Sequence, residues 1–275
     1  MDIRVLGPLQ ITQDGESIVP TATKPRKLLG LLALYPNRVV PISALIEELW
    51  EQSPPRSVLT TLQTYILQIR NLITAASGTA SPPNHAKCVL IRQFSGYRLN
   101  TGGRFSDAQD FEHLAAVGHR ALEERRYEAA SDVFRKATQL WRGNALVDVQ
   151  PGPLLDVEIT RLEEARLSIL SCSVEADLRL GRHHWLLGEL AGLAAQNPLH
   201  EHIQMLYMLA LYRSGRRDRA LDVYGSLRRT LNRELGLEPS EAVRRMQHSI
   251  LTASPALDHE IERSDFPDPL DQLAG

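Results

Sequence analysis

Ser57, Thr60, Thr64, Gln68 and Asn71 set hydroxyl and amide heads along one stretch at helical spacing, with Thr61 and Gln63 at the margins. The opposite face of that stretch is Val58, Leu62, Ile66, Ile69 and Ile73. Short polar heads on a helix hydrogen-bond base edges in a major groove, and apolar carbon beside them meets thymine methyls. Charge points the same way. From Gln52 to Ser106 there is no Asp or Glu, while Arg56, Arg70, Lys87, Arg92, Arg98 and Arg104 fall in the window. A surface of one sign attracts a polyanion and lets a helix approach phosphate without repulsion. On this segment alone, an ordinary core helix with a neutral outer face fits equally well.

The elements around the stretch decide what it is held by. Short strands are expected over Ile3–Leu6, Leu9–Thr12 and Ser17–Val19, broken at Gly7-Pro8 and Asp14-Gly15. Thr23 is placed to cap a helix running to Leu34, and Ser43 to cap a second from Ala44 to Trp50. Ser53-Pro54-Pro55 stops that helix and Arg56-Ser57 starts the next, which is the helix-turn-helix order. After a small-residue loop from Ser77 to Ala86, Cys88–Ile91 and Tyr97–Asn100 bracket a hairpin tip, Gln93 to Gly96. A hairpin beside such a helix is a wing, and Arg92 and Arg98 flank its tip.

Thr101-Gly-Gly103 marks a boundary, and the sequence beyond it is helical in period, including one long run from Leu154 to Leu180. Gly181-Arg-His-His and Gly215-Arg-Arg-Asp open similar segments thirty-four residues apart, the tetratricopeptide step, and Arg125-Arg-Tyr-Glu fits the same frame. Gly181 and Gly215 are expected to end helices in the left-handed conformation. Residues 253–275, acidic and with three prolines, read as a disordered tail. The whole chain carries a net charge of -2, but residues 1–100 balance at +4 and residues 101–275 at -6. That asymmetry divides two tasks between domains expected at 1–103 and 104–252. Two cysteines, Cys88 and Cys172, are too few for a disulfide framework or a thiolate zinc site. No membrane-length apolar run and no secretory signal are visible, so a soluble, cytoplasmic protein is expected. His183-His184 and His200 with His202 lack the spacing and cysteine partners of a metal site, and no nucleophile elbow or paired-carboxylate motif stands out. The expectation is therefore no enzyme activity, no metal and no cofactor.

The order of parts resembles the small members of the Streptomyces antibiotic regulatory protein family, transcription activators with an OmpR-type winged helix joined to a bacterial transcriptional activator domain. The resemblance rests on Lys24-Pro-Arg-Lys-Leu-Leu29, Leu62-Gln-Thr-Tyr-Ile-Leu-Gln-Ile-Arg70, Gly96-Tyr-Arg-Leu99, Leu140-Trp-Arg-Gly143, Leu209-Ala-Leu-Tyr-Arg-Ser-Gly215 and Glu234-Leu-Gly-Leu-Glu-Pro239, in that order. It implies a mainly α fold with a small β component: an OmpR-type winged helix-turn-helix, then an all-α tetratricopeptide-like domain. It further implies double-stranded promoter DNA with direct repeats as a partner, RNA polymerase through its sigma and alpha subunits as another, and oligomers of the chain on DNA.

Carried over by position, Ser57, Thr60, Thr61, Gln63, Thr64, Gln68 and Asn71 read bases, while Lys24, Arg26, Lys27, Arg56, Arg70, Lys87, Arg92 and Arg98 hold phosphate or form the wing. Trp50, Glu51 and Gln52 match the loop through which OmpR-type domains touch polymerase, although for Trp50 a core aromatic role is the favoured reading. Arg70 lies at the helix flank and suits a phosphate better than a base. Leu67 falls on the outward face, where it either meets a thymine methyl or signals a shifted register. No receiver domain precedes the winged helix and no phosphate-binding Gly-Lys-Ser/Thr loop follows, so control by ATP within this chain is not expected. A pure interaction scaffold would account for the helical repeats but not for the missing acids in the helix-and-wing window.

Overall fold

The computed structural model describes residues 1–77, 82, 84–254 and 257. Its Cα packing divides into two compact units, neither continuous in sequence: Met1–Ala116 with Arg135–Ile169, and Val117–Phe134 with the chain from Leu170 onward.

The first unit opens with an antiparallel sheet of β1 (Asp2–Arg4), β2 (Gln10–Gln13) and β3 (Glu16–Ser17), in which Ile3 pairs with Ile11. Both isoleucines are buried, as alternation on a one-sided sheet requires. Next come α1 (Thr23–Leu34), β4 (Val39–Pro41), α2 (Ile42–Trp50) and α3 (Val58–Ala76). A short α4 (His85–Val89) leads into β5 (Leu90–Gln93) and β6 (Gly96–Leu99), and β6 pairs with both β4 and β5. Leu28, Leu29, Leu31 and Leu32 of α1, Leu45 of α2 and Leu62, Ile66, Ile69 and Ile73 of α3 are all buried, so three amphipathic helices close one core.

Local details depart from the sequence reading at the helix starts. Neither Thr23 nor Ser43 caps its helix: Ala22 and Pro41 hold the cap positions without side-chain bonds. The Ile42 N–H donates to the Ser95 carbonyl at 2.9 Å, so the hairpin turn holds the first residue of α2. Cys88 lies in α4 rather than in a strand, and β5 begins two residues later. Residues 78–81 and 83 of the small-residue loop, and the tail beyond Ser254 apart from Leu257, lie outside the described residues.

The segment from Trp141 to Ile169 completes this unit. Arg142 and Leu146 donate their backbone N–H groups to Leu6 O and Val5 O at 2.8 and 3.0 Å, and Asp148 accepts from the Leu9 N–H at 2.7 Å. Ser106 and Gln109 form a reciprocal capping box at the start of α5 (Asp107–Glu123). Asp107 is buried and accepts the N–H groups of Val5 and Leu6 at 2.7 and 3.1 Å. Burial pushes its carboxyl above the usual carboxylate range, against the pull of those two donors.

The start of α7 (Pro153–Arg179) is capped from α2. Glu48, 0% exposed, takes the Gly152 N–H on Oε1 at 2.6 Å and those of Leu154 and Leu155 on Oε2 at 2.9 and 3.1 Å. Pro153 has no N–H, so one carboxylate satisfies every donor from 152 to 155. The approach is close enough that a Cβ on Gly152 would stand 2.2 Å from Glu48 O, which is why glycine sits there.

Tyr35 ties α1 to the same helix, its hydroxyl donating to Glu158 Oε1 at 2.7 Å. Desolvation first, and then the bond and charge of Glu158, push the phenol from 10.0 up to about 12. Because the folded value exceeds the unfolded one, this stabilisation is complete below 10.0 and is lost as pH rises to about 12. Tyr35→Phe should remove that part of the alkaline fall in stability, read as urea midpoints across the interval. An alkaline limb unchanged by the substitution would contradict the assignment.

The second unit is helical: the end of α5 and start of α6 (Tyr127–Gln139), the end of α7, then α8 (His183–Gln196), α9 (Glu201–Arg213), α10 (Arg217–Leu235) and α11 (Glu241–Leu251). Leu186, Leu190, Leu206, Leu209, Leu227 and Val243 are among the residues of its core. The repeated glycines behave as expected, with φ of +73° at Gly181 and +75° at Gly215, and Arg125 at the matching place has +57°. One bond recurs behind all three: Arg126, Arg182 and Arg216 each donate their N–H to the carbonyl five residues back. The repeat read from the sequence is thus a repeat of backbone geometry, three helix ends closed in one way.

Candidate nucleic-acid interface

The burial pattern of α3 follows its period. Leu62, Ile66, Ile69 and Ile73 are buried, and Ser57, Thr60, Gln63, Thr64, Gln68 and Asn71 are exposed, with Thr61 half-buried. Hydroxyls on this face are partly spent within the helix. Thr64 Oγ1 donates to Thr60 O at 3.0 Å and Thr61 Oγ1 to Ser57 O at 3.1 Å, which leaves each with only acceptor capacity outward. Gln63, Gln68 and Asn71 make no side-chain hydrogen bond among the described residues, so both ends of each amide face solvent. Leu67, 57% exposed, shares the face, and since its neighbours Ile66 and Ile69 are buried the register read from the sequence is correct.

The eight expected phosphate or wing cations fall into two groups. Arg56, Lys87 and Arg92 are exposed and have no ion pair among the described residues, and Arg98 on β6 is half-buried. The others engage partners within the fold. Lys27 is 8% exposed, its Nζ donating to Glu48 O at 3.4 Å. Arg26 donates to Pro20 O and to Asp148 Oδ2 at 3.0 and 3.1 Å. Arg70 holds Leu90 O with Nε and Nη2 at 3.2 and 2.8 Å, so it fixes the start of β5 to α3. Lys24 places Nζ 4.9 Å from the Trp50 ring centroid, a cation–π seat. Periodicity shows which residues face outward but not which long side chain bends back to a carbonyl, so the sequence held no signal to separate the groups.

Trp50 is half-buried and stacks on Tyr65 of α3 with centroids 6.1 Å apart and planes at 17°. It therefore braces the turn that Glu51 and Gln52 expose. Glu51 has φ 53° and ψ -118°, a conformation that favours glycine. A cleft of about 1050 Å³ opens beside this turn, lined by Lys24, Glu47, Trp50, Glu51, Pro151 and Asp156 among others. Sequence reasoning missed its far wall, because Pro151 and Asp156 lie a hundred residues downstream. It also passed over Phe94, 86% exposed at the wing tip with φ 50°. The visible signal was an aromatic residue in a two-residue turn.

In the second unit, His200 Nδ1 accepts the Ile203 N–H at the start of α9 and His202 meets Glu175 at 3.0 Å. No group of His, Cys, Asp and Glu among the described residues has a metal-holding arrangement. No described helix is long and apolar enough to cross a membrane.

Known proteins share this organisation. Residues 15–99 match the family described as transcriptional regulatory protein, C terminal, and residues 106–251 match the bacterial transcriptional activator domain. Regulatory protein DnrI of Streptomyces peucetius is 49% identical over 258 residues, covering 94% of each chain. The chain belongs to the Streptomyces antibiotic regulatory protein family of transcription activators. Regulatory protein AfsR of Streptomyces coelicolor is 35% identical over 256 residues, 92% of this family member but 24% of AfsR. A solved structure of Mycobacterium tuberculosis EmbR, in complex with a low affinity phosphopeptide, superposes with a TM-score of 0.82 at 30% identity, covering 92% of this chain and 65% of that one. As a member of the family, the protein regulates transcription.

Proposed function

We propose that this activator binds direct repeats near promoters in a sequence-specific way and recruits RNA polymerase, controlling genes of antibiotic biosynthesis. The observation that carries the reading is the outer face of α3: six exposed hydrogen-bonding side chains without an acid among them, with Arg56, Lys87 and Arg92 free to meet phosphate. Residues 1–103 would read DNA and residues 104–252 would form the activator domain that supports protomers side by side. Ser57, Thr60, Thr61, Gln63, Thr64, Gln68 and Asn71 contact base edges. Arg56, Lys87, Arg92 and Arg98 hold the backbone, whereas Arg26, Lys27 and Arg70 act by positioning the reading elements. The exposed turn at Glu51 and Gln52, braced by Trp50, faces a sigma or alpha subunit.

Protection footprinting on genomic fragments, with and without polymerase, tests the whole scheme. Two adjacent protected repeats are expected, with protection extended by polymerase; a stable monomer on repeat DNA contradicts the pairing of protomers. The phosphate assignments have their own readout. Alanine at Arg56, Lys87 or Arg92 should weaken binding to all sequences alike and reduce the salt slope by about 1 for each phosphate no longer neutralised. Lys27→Ala should leave that slope unchanged, because its ammonium is inside the fold. Equal slopes for all four variants would remove the separation between free and occupied cations.

A further inference from the structure

Leu67 is an apolar side chain in the middle of a polar surface. Residues three, four and seven positions away are its neighbours on the helix, and here they are the exposed Thr60, Gln63, Thr64, Asn71 and Thr74 and the half-buried Arg70. No other large apolar residue shares that centre. Leu59, 55% exposed, lies at the margin, since the buried Leu62 and Ile66 are its own helical neighbours. A protein partner covering this face would need a contiguous apolar patch, and one leucine ringed by polar side chains does not make one. A major groove offers the matching chemistry: hydrogen-bonding edges interrupted by a single apolar group, the C5 methyl of thymine.

We infer that Leu67 is a specificity-determining residue that packs against a thymine methyl at the centre of each half of the binding site, while its polar neighbours bond the flanking edges. This rests on the proposed DNA reading and names the base that α3 selects at its middle. The methyl is hidden from water by a side chain that otherwise stays exposed, so preference for thymine over cytosine or uracil comes from burial rather than from a hydrogen bond. Burying one carbon unit contributes about four-fold in affinity.

Deoxyuridine differs from thymidine only by that methyl, so it isolates the contact. Bound sites would first be selected from random duplexes with the full chain, and each thymine would then be replaced singly by deoxyuridine. For the wild type, one thymine per half-site should show a loss of about four-fold on losing its methyl. For Leu67→Ala the same replacement should change nothing, and Leu67→Met, which keeps an apolar reach, should restore the sensitivity. Selected sites whose affinity ignores every methyl overturn the leucine assignment and leave the DNA reading standing. Methyl sensitivity that persists in Leu67→Ala also overturns it, by placing the contact on another residue. A wild type that selects no sequence at all brings down the DNA reading, and this inference with it.

Discussion

Glu48→Ala is expected to lower the stability of the first compact unit by about 3 kcal/mol, the sum of a lost buried cap and stranded donors. The carboxylate is wholly buried and serves three backbone N–H groups at the start of α7. Alanine leaves those donors without water or partner, and the close fit of Gly152 against the Glu48 backbone leaves little room for solvent to enter. Glu48→Gln keeps the shape but turns one acceptor into a donor facing another donor, so it should recover only part of the loss. Urea unfolding followed by tryptophan fluorescence reads this directly, since Trp50 lies in the last turn of the helix that carries Glu48. A midpoint equal to wild type for the alanine variant would mean that α7 starts without its cap.

Replacing Thr64 and Gln68 together by alanine should cost discrimination rather than fold. Both side chains are exposed, so unfolding should move little. On DNA the two differ in what they can say. Gln68 presents a complete amide, suited to the N6 and N7 edge of adenine. Thr64, its proton committed to Thr60 O, can only accept, from the amino group of adenine or cytosine. Each good base contact contributes about 1–3 kcal/mol of preference, so the double variant should lose about a hundred-fold in the ratio of specific to random binding. Binding to random competitor should hardly change. Competition titrations at fixed salt measure the ratio, and a ratio preserved in the double variant would falsify base readout by this face.

Much of this was legible in the chain because it is periodic. The buried and exposed faces of α3, the wing around Gln93 to Gly96 and the left-handed Gly181 and Gly215 all follow from spacing within about thirty residues. Helix starts were less legible. Ser43 looked like a cap, yet the helix starts before it, at Ile42, whose N–H is held by Ser95 O of the hairpin turn, far along the chain.

By itself the sequence determined the polar outer face of α3, its freedom from acids and the repeat of helix ends, since each depends on residues that are neighbours along the chain. Only the tertiary structure decided which cations remain free, because a guanidinium is taken by whichever carbonyl the fold brings near, as Leu90 O is brought to Arg70. It also decided that α2 caps α7. A buried carboxylate must find donors wherever packing supplies them, and for Glu48 they come from residues more than a hundred positions on.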